Sequence, residues 1–245
     1  MTTNVGEVDF SAIVTHSHKN FRRLAVEIVQ AAGVKSFVEI GVWKGELAQT
    51  LLSSCPAIER YWMVDPWRTL EAWNKPFNKS QDIFDNIFQQ AISSTAFAED
   101  RRRVLRGTTS EVIDMIPDGS VDAAYIDGDH TLRGVTIDTI SVWPKIRPGG
   151  LLLGDDFAPS IWHHGLNYEP TMVFPFAAYF AEAVKAPIHA VGCNTFAIVK
   201  PPKHDASGFK FFDHVGKYGD RSVLSQLKEA RGGFAEGQNR VAPSR

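Results

Sequence analysis

The chain has 245 residues, and its 44% hydrophobic and 22% charged content is that of an ordinary globular protein, long enough for one α/β domain with extensions. The formal net charge of −2 gives no electrostatic reason to bind nucleic acid or an anionic membrane, so neither is expected as a partner. The sequence shows no bilayer-spanning apolar run, no secretory signal, and no disulfide or zinc pattern in its two cysteines, so we expect a reduced, cytoplasmic protein.

Helices and strands are predicted to alternate along most of the chain, from the periodicity of apolar residues and the positions of glycine and proline. Helices are predicted at residues 13–32, 46–53, 81–97, 111–116, 131–146 and 170–184. Strands are predicted at residues 36–40, 61–65, 103–106, 121–126, 151–154, 188–193 and 195–199. This pattern indicates a Rossmann-like, doubly wound α/β sheet of seven strands. We expect it to be mostly parallel, with helices on both faces and one antiparallel strand in a C-terminal hairpin.

The composition changes along the chain suggest three parts. Residues 1–33 are expected to form an N-terminal extension and helix, and residues 34–200 the main domain. Residues 201–245 are rich in Pro, Gly, Lys and Ser, and we expect a peripheral or partly disordered tail with one further helix at 223–229. An insertion at 66–80 combines aromatic residues with prolines and asparagines, and it could be a lid over the sheet edge or an ordinary loop pinned by its aromatic residues.

Two apolar runs near the middle of the chain each end in acidic residues. Asp127 follows the fourth predicted strand, and Asp155 and Asp156 follow the fifth. As buried parallel strands, both runs would bring their acids to one carboxyl edge of the sheet, where ligands of open α/β sheets bind. Three carboxylates so close together either take up protons or hold a cation, and oxygen ligands suit a hard divalent ion such as Mg²⁺. His130 lies just beyond, where it could accept a proton at that metal.

The first predicted strand runs into a turn with the sequence Glu39-Ile40-Gly41-Val42-Trp43-Lys44-Gly45, and a helix follows. Glycines at such a turn let the backbone approach a ligand closely. The turn lacks the full G-x-G-x-x-G pattern, so it does not indicate a bound pyrophosphate. Asp65 ends the second strand, where an acid commonly holds ribose hydroxyls. The two features together indicate a nucleoside ligand without a diphosphate.

These motifs resemble those of the class I S-adenosylmethionine-dependent methyltransferases. Within that family the chain is similar to the metal-dependent O-methyltransferases of the catechol type and of the antibiotic-sugar or macrocin type. The resemblance covers roughly residues 34–200, which would then be the methyltransferase domain. Pro148-Gly149-Gly150 matches the usual turn into the fifth strand. Asp156 stands where the catechol enzymes have Asn, which makes the chain more similar to the sugar and macrolide enzymes.

The resemblance implies S-adenosylmethionine as cofactor and transfer of its methyl group to a hydroxyl of a small molecule, a sugar or a secondary metabolite. It implies cofactor-binding roles for residues at successive strand ends, namely Glu39, Gly41, Trp43, Gly45, Asp65, Thr109 and Ser110. It implies that Asp127, Asp155 and Asp156 bind Mg²⁺ or another divalent cation. The general base would be His130 or its rival Asp129, while His130 could instead cap the helix that follows.

Several alternatives stay open at the level of the sequence. His163 and His164 lie in the loop after the fifth strand and are expected to be exposed rather than functional. A hydroxylase-like enzyme of the same fold is an alternative function, but a 2-His-1-carboxylate iron site is not evident in the sequence. A third possible function is that of a non-catalytic S-adenosylmethionine-binding module, but the intact acidic residues argue against it. The identity of the acceptor and the oligomeric state, including a homo-oligomer, are not determined.

Overall fold

One mixed sheet organises the structure, a computed structural model that describes residues 8–17, 19–71, 73–202 and 208–218. The strands are β1 (Ser36–Ile40), β2 (Arg60–Asp65), β3 (Arg102–Arg106), β4 (Val121–Ile126), β5 (Ile146–Gly154), β6 (Pro187–Gly192), β7 (Thr195–Val199) and β8 (Lys210–Asp213). They lie in the order β3-β2-β1-β4-β5-β7-β6-β8. Strand β7 is antiparallel to β5 and β6, and the other neighbouring strands pair in parallel. The predicted sheet, mostly parallel with one antiparallel strand near the C-terminus, is therefore confirmed.

Helices connect the strands and cover the sheet. They are α1 (Phe10–Ser17), α2 (Phe21–Ala31), α3 (Glu46–Ser54), α4 (Gln81–Ser94), α5 (Thr109–Val112), α6 (Leu132–Val142) and α7 (Val173–Ala183). None of these helices is long and apolar enough to cross a membrane.

Alternate side chains of the central strands enter two separate apolar cores, one on each face of the sheet. Phe37, Tyr61 and Tyr125 belong to the core that α1 to α4 cover, whereas Val38 and Ala124 belong to the core that α6 and α7 cover. Because both faces of the central strands are buried, these strands appear in the sequence as nearly continuous apolar runs. The expectation of helices on both faces is confirmed.

The described residues form eight strands, so the prediction of seven strands was wrong. The additional strand β8 pairs in parallel with β6, with Phe211 opposite Ile188. It has only four residues and lies within the stretch that composition assigned to a tail, so no local pattern distinguished it. The helix predicted at 223–229 lies outside the described residues.

Several predicted boundaries differ from the structure, most clearly those of the first helix and the fifth strand. The predicted helix at 13–32 is divided into α1 and α2, because the side chain of Asn20 caps α2 by accepting a hydrogen bond from the backbone N–H of Arg23 at 3.1 Å. The sequence Pro148-Gly149-Gly150 lies within β5 instead of forming a turn before it. Neither difference changes the order of the central strands.

The strand order reverses between β1 and β4, which makes this edge of the sheet the point where open α/β sheets bind ligands. Three backbone hydrogen bonds hold the strand ends side by side. Gly41 N–H donates to the carbonyl of Val64 at 2.9 Å, and Asp127 N–H donates to the carbonyl of Ile40 at 2.8 Å. Asp155 N–H donates to the carbonyl of Ile126 at 2.9 Å. The ends of β1, β2, β4 and β5 therefore lie together.

Candidate active site

Close approach between two strand ends explains the first glycine of the turn. Gly41 has a φ of 85°, and a Cβ at this position would lie 2.0 Å from the carbonyl oxygen of Asp127. Gly45 precedes α3 with a φ of 77°, and a Cβ there would lie 3.0 Å from the Cα of Ala91. Both positions require glycine for backbone reasons alone. Gly41 also places the turn directly against Asp127.

The carboxylate of Asp65 is buried beneath this turn. One of its oxygens accepts the backbone N–H of Trp43 at 2.9 Å, and the other accepts that of Trp67 at 2.7 Å. Burial nevertheless raises the pKa of Asp65 to about 6. The structure thus gives Asp65 a part in shaping the turn. Its proposed role as the ribose-binding acid stays a prediction.

Two further residues, Glu39 of β1 and Trp43 of the turn, are held in place by neighbouring aromatic side chains. Glu39 is buried and accepts a hydrogen bond from the hydroxyl of Tyr61 at 2.7 Å. Burial raises the pKa of Glu39 well above its usual range. The ring of Trp43 packs edge-on against Phe77 and Phe84, with centroids 5.5 and 5.9 Å away. Trp43 therefore connects the turn to the insertion and to α4.

The predicted adenine-side residues lie at the start of α5. Thr109 is buried, and its hydroxyl donates a hydrogen bond to Asp138 of α6 at 2.5 Å. Burial raises the pKa of Asp138 to about 6. Ser110 is exposed, and its hydroxyl oxygen lies 3.2 Å from that of Thr108. Both residues are at the predicted edge of the sheet, and contact with a cofactor stays a prediction for each.

His130 lies between two of the predicted metal ligands. Its Nδ1 is 2.6 Å from Oδ2 of Asp156, and its Nε2 is 3.3 Å from Oδ1 of Asp127. Burial by itself would lower the pKa of His130, but the two carboxylates outweigh it and raise that pKa to about 10. The two carboxylates therefore favour the charged form of the imidazole in the absence of a bound ion.

The third acid, Asp155, is also strongly perturbed. Burial raises its pKa to about 8, and the negative charges of Asp127 and Asp156 act in the same direction. The pKa of Asp156 is instead lowered, because its contacts with histidines outweigh its burial. A bound cation would relieve the repulsion at Asp155, so the chemistry of this cluster fits a divalent ion.

His164 was predicted from the sequence to be an exposed loop residue, but in the structure it contacts two neighbouring side chains. Its Nε2 lies 2.8 Å from Oδ2 of Asp156, and its Nδ1 lies 3.2 Å from the hydroxyl oxygen of Thr171. His163 is more peripheral, with Nε2 at 3.5 Å from Oδ1 of Asp156 and a side chain that is 37% exposed. The only sequence signal for these residues was their position in a loop that begins at an acidic strand end.

Asp129, the rival base, is engaged with neighbouring residues. One oxygen accepts the backbone N–H of Thr131 and the indole N–H of Trp73, both at 3.0 Å, and the other accepts the hydroxyl of Thr131 at 3.1 Å. The Thr131 hydroxyl in turn accepts the N–H of Gly134 at 3.1 Å and so caps α6. The cap of this helix is therefore Thr131 and not His130.

The insertion at 66–80 joins two loops across the sheet edge. Trp73 contacts Asp129, as described, and Lys75 donates from Nζ to the backbone carbonyls of Glu169 and Pro170 at 2.7 and 3.4 Å. Lys75 is buried, and this burial lowers its pKa. Sequence reasoning missed Lys75, since an isolated lysine in a loop is ordinarily exposed. The insertion therefore contacts both loops at this edge of the sheet, and its role as a lid stays a prediction.

In the described part of the chain, one group of side chains could bind a metal ion together. His130, Asp156 and His164 each offer one potential ligand atom, and these three atoms lie within 4.8 Å of one another. The predicted set of Asp127, Asp155 and Asp156 shares only Asp156 with this group. Binding of a metal by those three acids stays a prediction.

Comparison with known proteins agrees with this architecture. A family described as a methyltransferase domain matches residues 38–157, which include every residue predicted here for cofactor, metal and base. No match was found among curated proteins.

Solved structures share the fold at low sequence identity. A Staphylococcus aureus protein provisionally assigned as a caffeoyl-CoA O-methyltransferase is 14% identical, with a TM-score of 0.54 over 80% of this chain and 93% of that one. An O-methyltransferase from Bacillus cereus, solved in complex with SAH, is 17% identical, with a TM-score of 0.50 over 82% and 84% of the two chains. A Corynebacterium glutamicum protein is 15% identical, with a TM-score of 0.51 over 81% and 82%. The family match and the shared fold confirm the resemblance to the class I S-adenosylmethionine-dependent methyltransferases, and residues 38–157 are a methyltransferase domain.

Proposed function

We propose that the protein transfers the methyl group of S-adenosylmethionine to a hydroxyl oxygen of a small molecule, with the help of a divalent cation. The observation that carries the proposal is the contact between Gly41 and Asp127, where the predicted cofactor turn lies against the acid and histidine cluster. Methyl transfer requires the donor sulfonium and the acceptor oxygen to meet in line, and this contact brings the two half-sites together.

The cofactor part is supported by the family match and by the Bacillus cereus neighbour, which was solved with SAH. The proposed pocket lies at the ends of β1, β2 and β3. It would be lined by Glu39, Gly41, Trp43, Gly45, Asp65, Thr109 and Ser110. Asp65 would bind the ribose hydroxyls while its backbone contacts hold the turn in shape.

The cation would be held at the cluster formed by Asp127, Asp155 and Asp156, which supply its countercharge. Such an ion lowers the pKa of a hydroxyl bound to it and orients that hydroxyl. The raised pKa of Asp155 supports this proposal, because burial and the charges of Asp127 and Asp156 both oppose its ionisation without a cation.

Removal of the hydroxyl proton would fall to His130 or to Asp129. His130 can accept a proton only as the neutral imidazole, whereas its contacts with Asp127 and Asp156 favour the charged form. Asp129 accepts hydrogen bonds from Trp73 and Thr131, which hold it at the edge of the cluster. The pair of variants His130→Ala and Asp129→Asn distinguishes the two, since only loss of the base removes the pH dependence of turnover.

The acceptor would lie between the insertion at 66–80 and the 155–172 loop, which connects β5 to α7. We propose a small hydroxylated molecule, a sugar or a secondary metabolite, and no nucleic acid. We also propose a cytoplasmic location, because no disulfide joins the two cysteines in the described residues.

A second candidate function gains one specific observation. Two histidines and one carboxylate, namely His130, His164 and Asp156, lie close together, and such a set binds iron in some oxygenases. A hydroxylase-like enzyme of the same fold is therefore the alternative, ahead of a non-catalytic cofactor-binding module.

The deciding experiment incubates the protein with isotopically labelled S-adenosylmethionine and a pool of hydroxylated metabolites, with and without added divalent cation. A product carrying the labelled methyl group on oxygen is expected. A parallel incubation also contains Fe²⁺, O₂ and a chemical reductant, and a product that gains only oxygen there would favour the hydroxylase. Cofactor binding without any product in either incubation would favour the binding module. Undiminished methyl transfer in EDTA would contradict the metal part of the proposal.

A further inference from the structure

We propose that His130, Asp156 and His164 form the cation site and that this site selects a first-row transition ion, such as Zn²⁺, Fe²⁺ or Co²⁺, over Mg²⁺. The inference rests on the metal-assisted function proposed above, specifies its ion, and replaces Asp127 and Asp155 by His130 and His164 as ligands. It assigns to His164 a role that the resemblance does not imply.

The three side chains reach one point from three parts of the fold. His130 follows β4, Asp156 follows β5, and His164 lies in the 155–172 loop. Oδ2 of Asp156 is 2.6 Å from Nδ1 of His130 and 2.8 Å from Nε2 of His164. Zinc-bound nitrogen and oxygen atoms lie about 2.0–2.2 Å from the metal, so small side-chain rotations suffice to place an ion among these atoms.

The second nitrogen of each imidazole ring lies near a polar group on the side away from Asp156. Nδ1 of His164 is 3.2 Å from the hydroxyl of the buried Thr171. Nε2 of His130 is 3.3 Å from Asp127, although it makes no hydrogen bond of good geometry within the described residues. Metal-binding histidines ordinarily direct their second nitrogen to a carboxylate or another polar group, which fixes the ring and its tautomer. In this arrangement Asp127 orients a ligand instead of binding the ion directly.

A buried atom without a hydrogen bond points into the same space. Oδ2 of Asp156 is inaccessible to solvent and has no hydrogen bond of good geometry within the described residues, although two imidazole nitrogens lie near it. Asp156 also has a positive φ of 54°, which is unfavourable for a residue other than glycine. Such strain is typically retained where it directs a side chain into a functional site.

The nature of the donors decides which ion is preferred. Magnesium favours oxygen ligands in octahedral geometry, whereas imidazole nitrogen suits zinc, iron, copper and nickel. A set with two imidazoles and one carboxylate therefore favours a transition ion. It also removes His130 from the list of bases, because a nitrogen that binds the metal cannot accept a proton.

The test uses the full-length protein after chelation, with Co²⁺ as the probe and its visible absorption as the readout, followed by competition with Zn²⁺ and with Mg²⁺. We expect Co²⁺ to bind with ligand-field bands that report nitrogen ligands, Zn²⁺ to displace it, and millimolar Mg²⁺ not to. His164→Ala should weaken Co²⁺ binding by about 10–100-fold or more. His163→Ala is the matched control in the same loop and should change the affinity by less than about threefold.

Two controls show whether a variant loses Co²⁺ binding because it misfolds. The first is the conservative variant His164→Gln, and the second is the thermal unfolding temperature of each protein. The inference is overturned if Co²⁺ does not bind, or if its binding survives His164→Ala and is lost in Asp155→Asn. It is also overturned if Mg²⁺ displaces Co²⁺ readily. These outcomes are independent of methyl transfer, which is measured separately with each cation. Absence of any methylated product would count against the proposed function alone.

Discussion

Two groups of histidines in this protein have opposite electrostatic properties. At the functional edge of the sheet, His130 is surrounded by carboxylates, and its pKa is raised to about 10. At the other end of the sheet, His189 of β6 lies 3.0 Å from His214, between the rings of Phe10 and Phe212. Burial and the neighbouring His214 lower the pKa of His189 to about 4. In the absence of a bound ion, the surroundings of His130 thus favour the charged imidazole, whereas those of His189 favour the neutral ring.

The difference comes from the position of each histidine on its strand. His130 follows a strand end, where parallel strands bring several acids to one edge. His189 lies within a strand, where its neighbours are β8, α1 and the apolar core. Asp213 and Asp9 act to raise the pKa of His214, but burial outweighs them, and this pKa is also lowered. The predictions below separate the two groups by function and by stability.

The largest effect is expected from Asp156→Ala, which removes the carboxylate that contacts His130, His163 and His164. Methyl transfer should fall by at least about 10²-fold, because Asp156 belongs to both proposed sets of cation ligands and even the residues that support such ligands are worth about 10–100-fold. Steady-state kinetics with labelled cofactor measures the loss. The comparison variant His189→Phe should keep its turnover, and an equal loss in both variants would remove the functional distinction between the groups.

The next effect concerns stability and pH. The pKa of His189 is about 4 in the folded protein and about 6.5 in the unfolded chain, so between these values the unfolded chain binds the additional proton. The free energy of unfolding should therefore decrease as the pH falls from about 6.5 to about 4, by at most about 3 kcal/mol from this group. Urea titrations across that range measure it.

In His189→Phe this contribution should be absent, and the free energy of unfolding should depend less steeply on pH in the same window. The two proteins are compared by the slope of their free energy of unfolding against pH. A difference in stability that does not depend on pH then has no effect on the comparison. An identical slope in both proteins would show that His189 is not the group responsible.

A smaller effect is expected at the cofactor turn, which tests whether the cofactor half of the site is independent of the histidine cluster. Asp65→Ala should weaken S-adenosylmethionine binding by about 1.5–3 kcal/mol, the value of hydrogen bonds to a charged group. Calorimetric titration measures it, and binding of Co²⁺ should not change. Because Asp65 also accepts the N–H groups of Trp43 and Trp67, Asp65→Asn serves as the control of similar size. Unchanged cofactor affinity in Asp65→Ala would contradict the assignment.

The smallest effect is expected from His163→Ala. This side chain is 37% exposed and lies 3.5 Å from Asp156, so its contact resembles a surface ion pair worth less than about 1 kcal/mol. Turnover should change by less than about fivefold. A loss as large as that of His164→Ala would mean that the two loop histidines act together.

Much of the fold could be predicted from local patterns. The apolar runs before Asp65, Asp127 and Asp155 mark strands that are buried on both faces, and their acidic ends follow directly along the chain. The capping residue Asn20 is also a local signal, although the helical periodicity on either side of it concealed the break. Strand β8 carries no such signal, because four residues gain their strand structure only by pairing with β6.

The sequence by itself therefore determined the alternation of strands and helices and the set of acids at the sheet edge, since both depend on residues adjacent in the chain. The tertiary structure alone decided which side chains share that edge. His164 reaches Asp156 through the path of the 155–172 loop, and Lys75 reaches Glu169 from more than ninety positions earlier in the chain. Such contacts depend on how loops close over the sheet, and the electrostatic character of each histidine depends on those contacts.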